Sequence, residues 1–182
     1  VGTEFAQIFS GFDVEVTLLQ RDGQILQRED REIAELVQKD LASRGVRIVT
    51  GMEVLRVQKH GADKVVSVKL GSEEQDFRAQ EIMIAAGRRA ALSDLNLEAA
   101  GLKLNQAGKL DLNEYLQTES AHIWAAGDAA AAWQFTHTAA YEGDLVGRNI
   151  CHKHDEQVNY DVVPRVTFCE PEVASVGLTE TE

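Results

Sequence analysis

The stretch from Val14 to Val49, VEVTLLQRDGQILQREDREIAELVQKDLASRGVRIV, decides the fold. Val14 to Leu19 is a β-branched, apolar run of strand length, the composition of a buried parallel strand. Asp30 then occupies an N-cap position, and Ile33, Leu36, Val37 and Leu41 follow at helical spacing up to Gly45. Val46 to Val49 is a second short strand. Strand, helix and strand with close connections make a β-α-β unit, which requires a right-handed crossover. The fold class is therefore α/β; a Rossmann-like lobe is expected by analogy with other doubly wound folds.

Working outward, Gly2 to Ser10 is a short helix with Phe5, Ile8 and Phe9 on one apolar face and Gly11 as its C-cap candidate. Downstream, Glu53 to Gln58 and Lys64 to Leu70 alternate apolar with polar around the turn Lys59-His60-Gly61-Ala62-Asp63. That alternation predicts an antiparallel β-meander with one face in water. Glu81 to Ala86 returns to the fully buried strand type and stops at Gly87. Arg88 to Glu119 is polar and turn-rich, with a helical turn at Asn96–Ala100 and a short strand at Lys109–Leu112. His122 to Ala126 reads as a strand ending at Gly127-Asp128, and Thr136 to Ile150 as a helix with small surfaces at Ala139, Ala140 and Gly143. Arg165 to Phe168 and Val173 to Val176 are again strand-like.

At 182 residues the chain can hold one ordinary domain or parts of two. Its 44% hydrophobic and 26% charged residues are normal for a globular protein with a core. A formal net charge of −12 argues against nucleic-acid binding, which needs clustered Lys and Arg. No apolar run approaches the roughly 20 residues that span a bilayer, so a cytoplasmic location is expected. The Val1 start and the Glu-Thr-Glu end both read as mid-domain, and the chain is expected to be a piece of a longer protein. Cys151 and Cys169 form no C-x-x-C or metal-spaced group and read as structural thiols, with a disulfide between them left open. The histidines lack metal-ligand spacing, and His152 and His154 would point to opposite sides of an extended loop; no metal site is expected.

Four places carry chemistry. Gly2 and Glu4 open a helix ahead of a strand, where free N–H groups and the helix dipole can meet a pyrophosphate; the plain alternative is a helix that merely starts with glycine. The strand after it ends in Leu19-Gln20-Arg21, with Arg28 nearby, where NAD-preferring domains usually carry a carboxylate. A guanidinium there can pair with a 2′-phosphate, which points to NADP unless both arginines are solvated loop charges. Ala85-Ala86-Gly87-Arg88-Arg89 follows a buried strand, and its glycine permits close approach of a ligand; a strand leaving the core would look the same. Last, Ile123-Trp124-Ala125-Ala126-Gly127-Asp128 and Gln134-Phe135-Thr136-His137-Thr138-Ala139 place a carboxylate beyond a strand and free N–H groups at a helix start. The first can hold a polyol hydroxyl and the second an electron-rich carbonyl. His137 suits a hydrogen-bonded helix-start histidine better than a general base.

In this order the four places resemble the pyridine nucleotide-disulphide oxidoreductases, flavoproteins with two dinucleotide domains, and the resemblance covers essentially the whole chain. Val1–Ala6 is similar to the end of the family's nicotinamide-nucleotide fingerprint, and Ala86-Gly87-Arg88-Arg89 to its glycine-arginine signature. Ala126-Gly127-Asp128 resembles the FAD motif whose aspartate binds the ribitol, and Thr136–Ala139 the segment facing the flavin pyrimidine. Pro164 to Glu180 is similar to the opening of the family's dimer-interface domain.

The resemblance implies a nicotinamide-nucleotide domain over residues 1–88 lacking its first strand, part of an FAD domain over 89–158, and a truncated α+β dimerisation domain over 159–182. It implies FAD and NADP (or NAD) as cofactors, held by Gly2, Glu4, Arg21, Val54, Gly87, Asp128, Thr136 and Ala139. It also implies a homodimer of the full-length protein and an oxidoreductase passing hydride through FAD to a cysteine pair, then to a metal ion or disulfide. The family's redox cysteine pair and base histidine match nothing in this sequence, so the chain alone is expected to be inactive, with no catalytic residue of its own. Arg21 and Ile25–Asp30 look closest to mercuric reductases; dihydrolipoamide dehydrogenases are the near alternative, although most carry an acidic residue where this chain has Gln20, and glutathione-reductase-like enzymes also use an arginine here.

Overall fold

The computed structural model describes residues 1–130, 132–152, 156–180 and 182. Two units emerge: Val1–Ala86 together with Pro164–Glu182, and Gly87–Val163.

The first unit opens with α1 (Gly2–Ser10), β1 (Thr17–Gln20), α2 (Arg31–Ser43) and β2 (Arg47–Thr50). β1 and β2 pair in parallel, from Thr17 beside Arg47 to Gln20 beside Thr50, so the β-α-β unit read from the sequence is present. Asp30 is the N-cap residue of α2 in an extended conformation, although its side chain caps nothing. The helix buries Ala34, Val37 and Leu41, whereas Ile33 and Leu36 stay 41% and 53% exposed. Of the expected face Val37 and Leu41 are buried, and Ala34 takes the place of Ile33 and Leu36. Each residue turns the helix by about 100°, so a stripe centred on 34, 37 and 41 leaves 33 and 36 on its flanks.

α1 departs further from expectation. It buries Thr3 and Ala6, while Phe5, Ile8 and Phe9 remain exposed. Small side chains let this helix lie close to its neighbours: a Cβ on Gly2 would come within 3.3 Å of the Ala85 Cβ. Gly11 does cap α1, its N–H donating to the Gln7 carbonyl at 3.0 Å, but with φ −67 it lies in the right-handed region. The left-handed residue at this corner is Asp13 (φ 60).

β3 (Met52–His60), β4 (Asp63–Leu70) and β5 (Glu73–Ala79) form the antiparallel meander. A bulge between Val54 and Arg56 shifts the β3 register. The sequence did not announce β5, because Glu73-Glu74-Gln75-Asp76-Phe77-Arg78-Ala79 holds one large apolar residue. Tertiary pairing overrides weak propensity here. Phe77 sits opposite Val66 and is buried with Met52, Val66 and Val68, and Asp76 accepts from Ser67 Oγ at 2.5 Å.

Glu81 to Ala86, expected as a buried strand, joins no sheet among the described residues, and Ile84 is 85% exposed. A strand exists only through a ladder partner, and β1 is paired with β2 alone. Ile82 nonetheless packs on the meander cluster. β6 (Pro164–Thr167) and β7 (Val173–Val176) form an antiparallel pair near the strands anticipated. Cys169 and Val173 enter one core with Ala6, Ile25, Val37, Leu41 and Val46.

In the second unit the expected strands at Lys109–Leu112 and His122–Ala126 reduce to single bridges, Leu104 with Leu110 and Gln117 with Trp124. Side chains occupy the backbone groups that a ladder would use. Asn105 Oδ1 accepts from the N–H groups of Ala107 and Lys109, and Asn113 Oδ1 from those of Tyr115 and Gln117. The turn expected at Asn96–Ala100 is a 3-10 turn over Leu97–Ala100. α3 (Thr136–His152) matches the predicted helix and buries Thr138, Glu142 and Leu145. Among the described residues no helix is long and apolar enough to cross a membrane.

Candidate functional site

In the second unit, the extended backbone of Ala126 (φ −138, ψ 160) runs into a 3-10 turn over Gly127–Ala129. Gly127 has φ 69, a region that L side chains enter only at a cost. A Cβ on it would stand 3.1 Å from the Ala139 Cβ. The turn therefore lies against the first turns of α3, and the structure brings Gly127, Asp128 and Ala139 together. The Gly127 N–H donates to Glu142 Oε2 at 2.6 Å, and Tyr160 donates its O–H to Glu142 Oε1 at 2.7 Å. Burial, reinforced by that bond and by the nearby carboxylate, pushes the Tyr160 phenol well above its usual range.

Asp128 is exposed, and its carboxylate makes no hydrogen bond or ion pair among the described residues. Thr136 is exposed at the first position of α3, and Thr138 Oγ1 is buried without a hydrogen-bond partner among the described residues. Leading into the helix, the rings of Trp133, Phe135 and His137 stack at 6.0 and 5.3 Å. Gly87 is exposed with φ 113, and Arg88 Nη1 reaches the Gln134 carbonyl at 3.2 Å. These features suit an FAD: an unpaired carboxylate beyond an extended segment, a helix N-terminus with its positive dipole end, and an orphaned buried hydroxyl beside it.

In the first unit, Gly2 is the first residue of α1. The Glu4 carboxylate accepts the Phe168 N–H at 2.9 Å. In the 182-residue chain burial raises this carboxyl, but the Phe168 N–H and the Val1 ammonium 3.0 Å away outweigh it, so Glu4 sits below the ordinary carboxylate value. Arg21 follows β1 with its side chain 80% exposed and its Nε 3.8 Å from Asp22 Oδ1. Val54 lies on β3, in a different sheet from the strand that Arg21 follows, and is exposed. Both cysteines are free thiols, Cys151 exposed in the second unit and Cys169 buried in the first. His154 and the side chain of His152 lie outside the described residues.

Sequence reasoning missed Glu142. A glutamate inside a helix reads as a solvated charge unless its neighbours are placed, yet it shares one buried stripe with Thr138 and Leu145 at i−4 and i+3. That position was the available signal.

The sequence pattern of the family described as pyridine nucleotide-disulphide oxidoreductase matches residues 1–143. A mercuric reductase of Bacillus cereus is 39% identical over 182 residues, all of this chain and 29% of that protein. A dihydrolipoyl dehydrogenase of Bacillus subtilis is 32% identical, again over all of this chain and 39% of its own length. The HOCl-induced flavoprotein disulfide reductase of Escherichia coli, a solved structure, superimposes with a TM-score of 0.87 at 30% identity, covering 98% of this chain and 40% of that one. The chain thus spans roughly a third of the length of the curated relatives it matches, 29% to 39%.

Proposed function

Because the chain belongs to the pyridine nucleotide-disulphide oxidoreductase family, we propose that it is the cofactor-holding portion of a homodimeric, NADPH-preferring flavoenzyme reducing mercuric ion. When bound, FAD would accept hydride from the nicotinamide and deliver electrons to a cysteine pair and onward to substrate. The chain's own residues place the two cofactors. Asp128 would accept a ribitol hydroxyl, while Thr136 and Ala139 would present the N-terminus of α3 to the electron-rich edge of the flavin. Gly2 would let α1 approach the nicotinamide-nucleotide pyrophosphate, with Glu4 close to the nicotinamide. Arg21 would pair with the 2′-phosphate, and Val54 and Gly87 would line the nucleotide path. In this arrangement residues 1–88 are the nucleotide domain, 89–158 belong to the FAD domain and 159–182 begin the interface domain.

The observation that carries the reading is the Gly127–Asp128 turn, held against Ala139 with its carboxylate exposed and unpaired. The mercuric preference over lipoamide is supported by Gln20-Arg21 standing where a carboxylate would select NAD. The test is to purify the full-length protein, quantify FAD by its absorbance, and assay NADPH oxidation with mercuric ion and with lipoamide. Flavin-bearing protein turning over with mercuric ion supports the reading. Colourless protein overturns the FAD assignment, and turnover with lipoamide alone overturns the substrate.

A further inference from the structure

We propose that Glu142 is a positioning residue for the flavin, its carboxylate holding the Gly127–Asp128 turn in the shape that aims Asp128 at the ribitol, with Tyr160 fixing Glu142 from the other side. The inference rests on the FAD reading of Asp128 given above.

A glutamate with 0% exposure is unusual, since a buried charge is costly unless each oxygen is matched. Here the match is one donor for each oxygen: the Gly127 N–H at 2.6 Å on Oε2 and the Tyr160 O–H at 2.7 Å on Oε1. Such charge-assisted bonds are short and roughly twice as strong as neutral ones. Thr138 and Leu145 are as fully buried on the same stripe of α3. Glu142 is therefore committed to the turn.

The turn needs that commitment. Gly127 is confined by a left-handed backbone and by Ala139, whose Cβ would stand 3.1 Å from a Cβ placed on it, but neither gives its N–H a partner. The Glu142 carboxylate does, and the next residue along the chain is Asp128, whose carboxylate has no partner of its own among the described residues. A hydrogen bond to the backbone one residue before a ligand carboxylate sets the direction of that carboxylate without touching the ligand. Tyr160 completes the relay, so a residue eighteen positions beyond Glu142 bears on the flavin turn.

Three variants of the full-length protein separate this role from simple packing. E142L keeps the bulk and removes the acceptor. E142Q keeps an oxygen for Gly127 and turns its amide toward the Tyr160 oxygen. Y160F removes only the outer donor. Each protein is stripped of FAD, its Gly127 amide exchange is followed without flavin, and its FAD Kd is measured by fluorescence titration. E142L should raise the Kd roughly tenfold or more and accelerate Gly127 exchange. E142Q should stay within about threefold of wild type, with Y160F between the two. Wild-type Kd and exchange in E142L, or an E142Q as impaired as E142L, overturns the proposal. Should E142L not fold, unchanged Kd and exchange in Y160F overturns it equally. Wild-type protein that takes up no FAD instead overturns the flavin reading itself.

Discussion

Gly127 and Ala139 stand so close that a methyl group on the first would meet the Cβ of the second at 3.1 Å. Gly127→Ala adds this clash to the strain of a left-handed alanine, which alone costs about 1–2 kcal/mol. The expected loss is about 2 kcal/mol or more in urea unfolding. Adding Ala139→Gly should recover the clash and leave the backbone strain, so recovery is partial. Full recovery would show that φ at Gly127 carries no cost.

Nucleotide choice is tested at Arg21, which projects into solvent after β1. Arg21→Glu in the full-length enzyme should lower kcat/KM for NADPH more than for NADH by about 1–3 kcal/mol, roughly fivefold to 150-fold. Equal losses for the two nucleotides would remove Arg21 from the 2′-phosphate site.

Glu4 ties α1 to Phe168, and its carboxyl is held below the ordinary value. A carboxylate depressed in the folded state contributes stability above its unfolded value, near pH 4.3, and loses it as pH falls through the folded one. In the 182-residue chain, whose Val1 ammonium adds to this effect, Glu4→Gln should therefore be less stable than the parent at pH 6 to 8, with the gap closing under acid. Denaturant midpoints measured from pH 7 down to pH 3 check this. A gap that is constant with pH would mean that ionisation of Glu4 contributes nothing.

The two thiols should react very differently. Burial pushes the Cys169 thiol up, with Glu4 and Asp40 adding to the effect, and its Sγ lies 3.1 Å from the Pro171 carbonyl. Cys151 is exposed. Iodoacetamide at pH 8 should label Cys151 on the order of tenfold faster or more, with Cys169 reacting fully only after unfolding. Peptide mapping by mass spectrometry reads both rates; equal labelling would contradict the packing of Cys169.

What the sequence disclosed follows from how locally each feature is determined. The β-α-β unit was legible because an apolar run, a cap position and a helical period lie within one short stretch. The phase of α2 was not, because choosing 34/37/41 over 33/36 depends on which side faces the core. β5 was invisible because its only large apolar residue, Phe77, becomes meaningful once Val66 lies opposite. At the site, Gly127-Asp128 and Thr136 stood out as residue types, and the relation to Ala139 came only with coordinates. Glu142 could not be found that way, because its partners Gly127 and Tyr160 lie fifteen and eighteen residues distant.

The packing of Cys169 and Val173 among Val37, Leu41 and Val46 has a bearing on biosynthesis. As the chain leaves the ribosome, α2 and the first parallel strands emerge long before β6 and β7, with the entire 87–163 unit made in between. The nascent first unit must wait with part of its core unfilled while the 87–163 unit is made. Such non-local closure is slow and leaves apolar surface open to aggregation. A ribosome stalled before Pro164 should hold α2 in a protease-sensitive state, and one stalled far enough past Val176 for β7 to clear the exit tunnel should not.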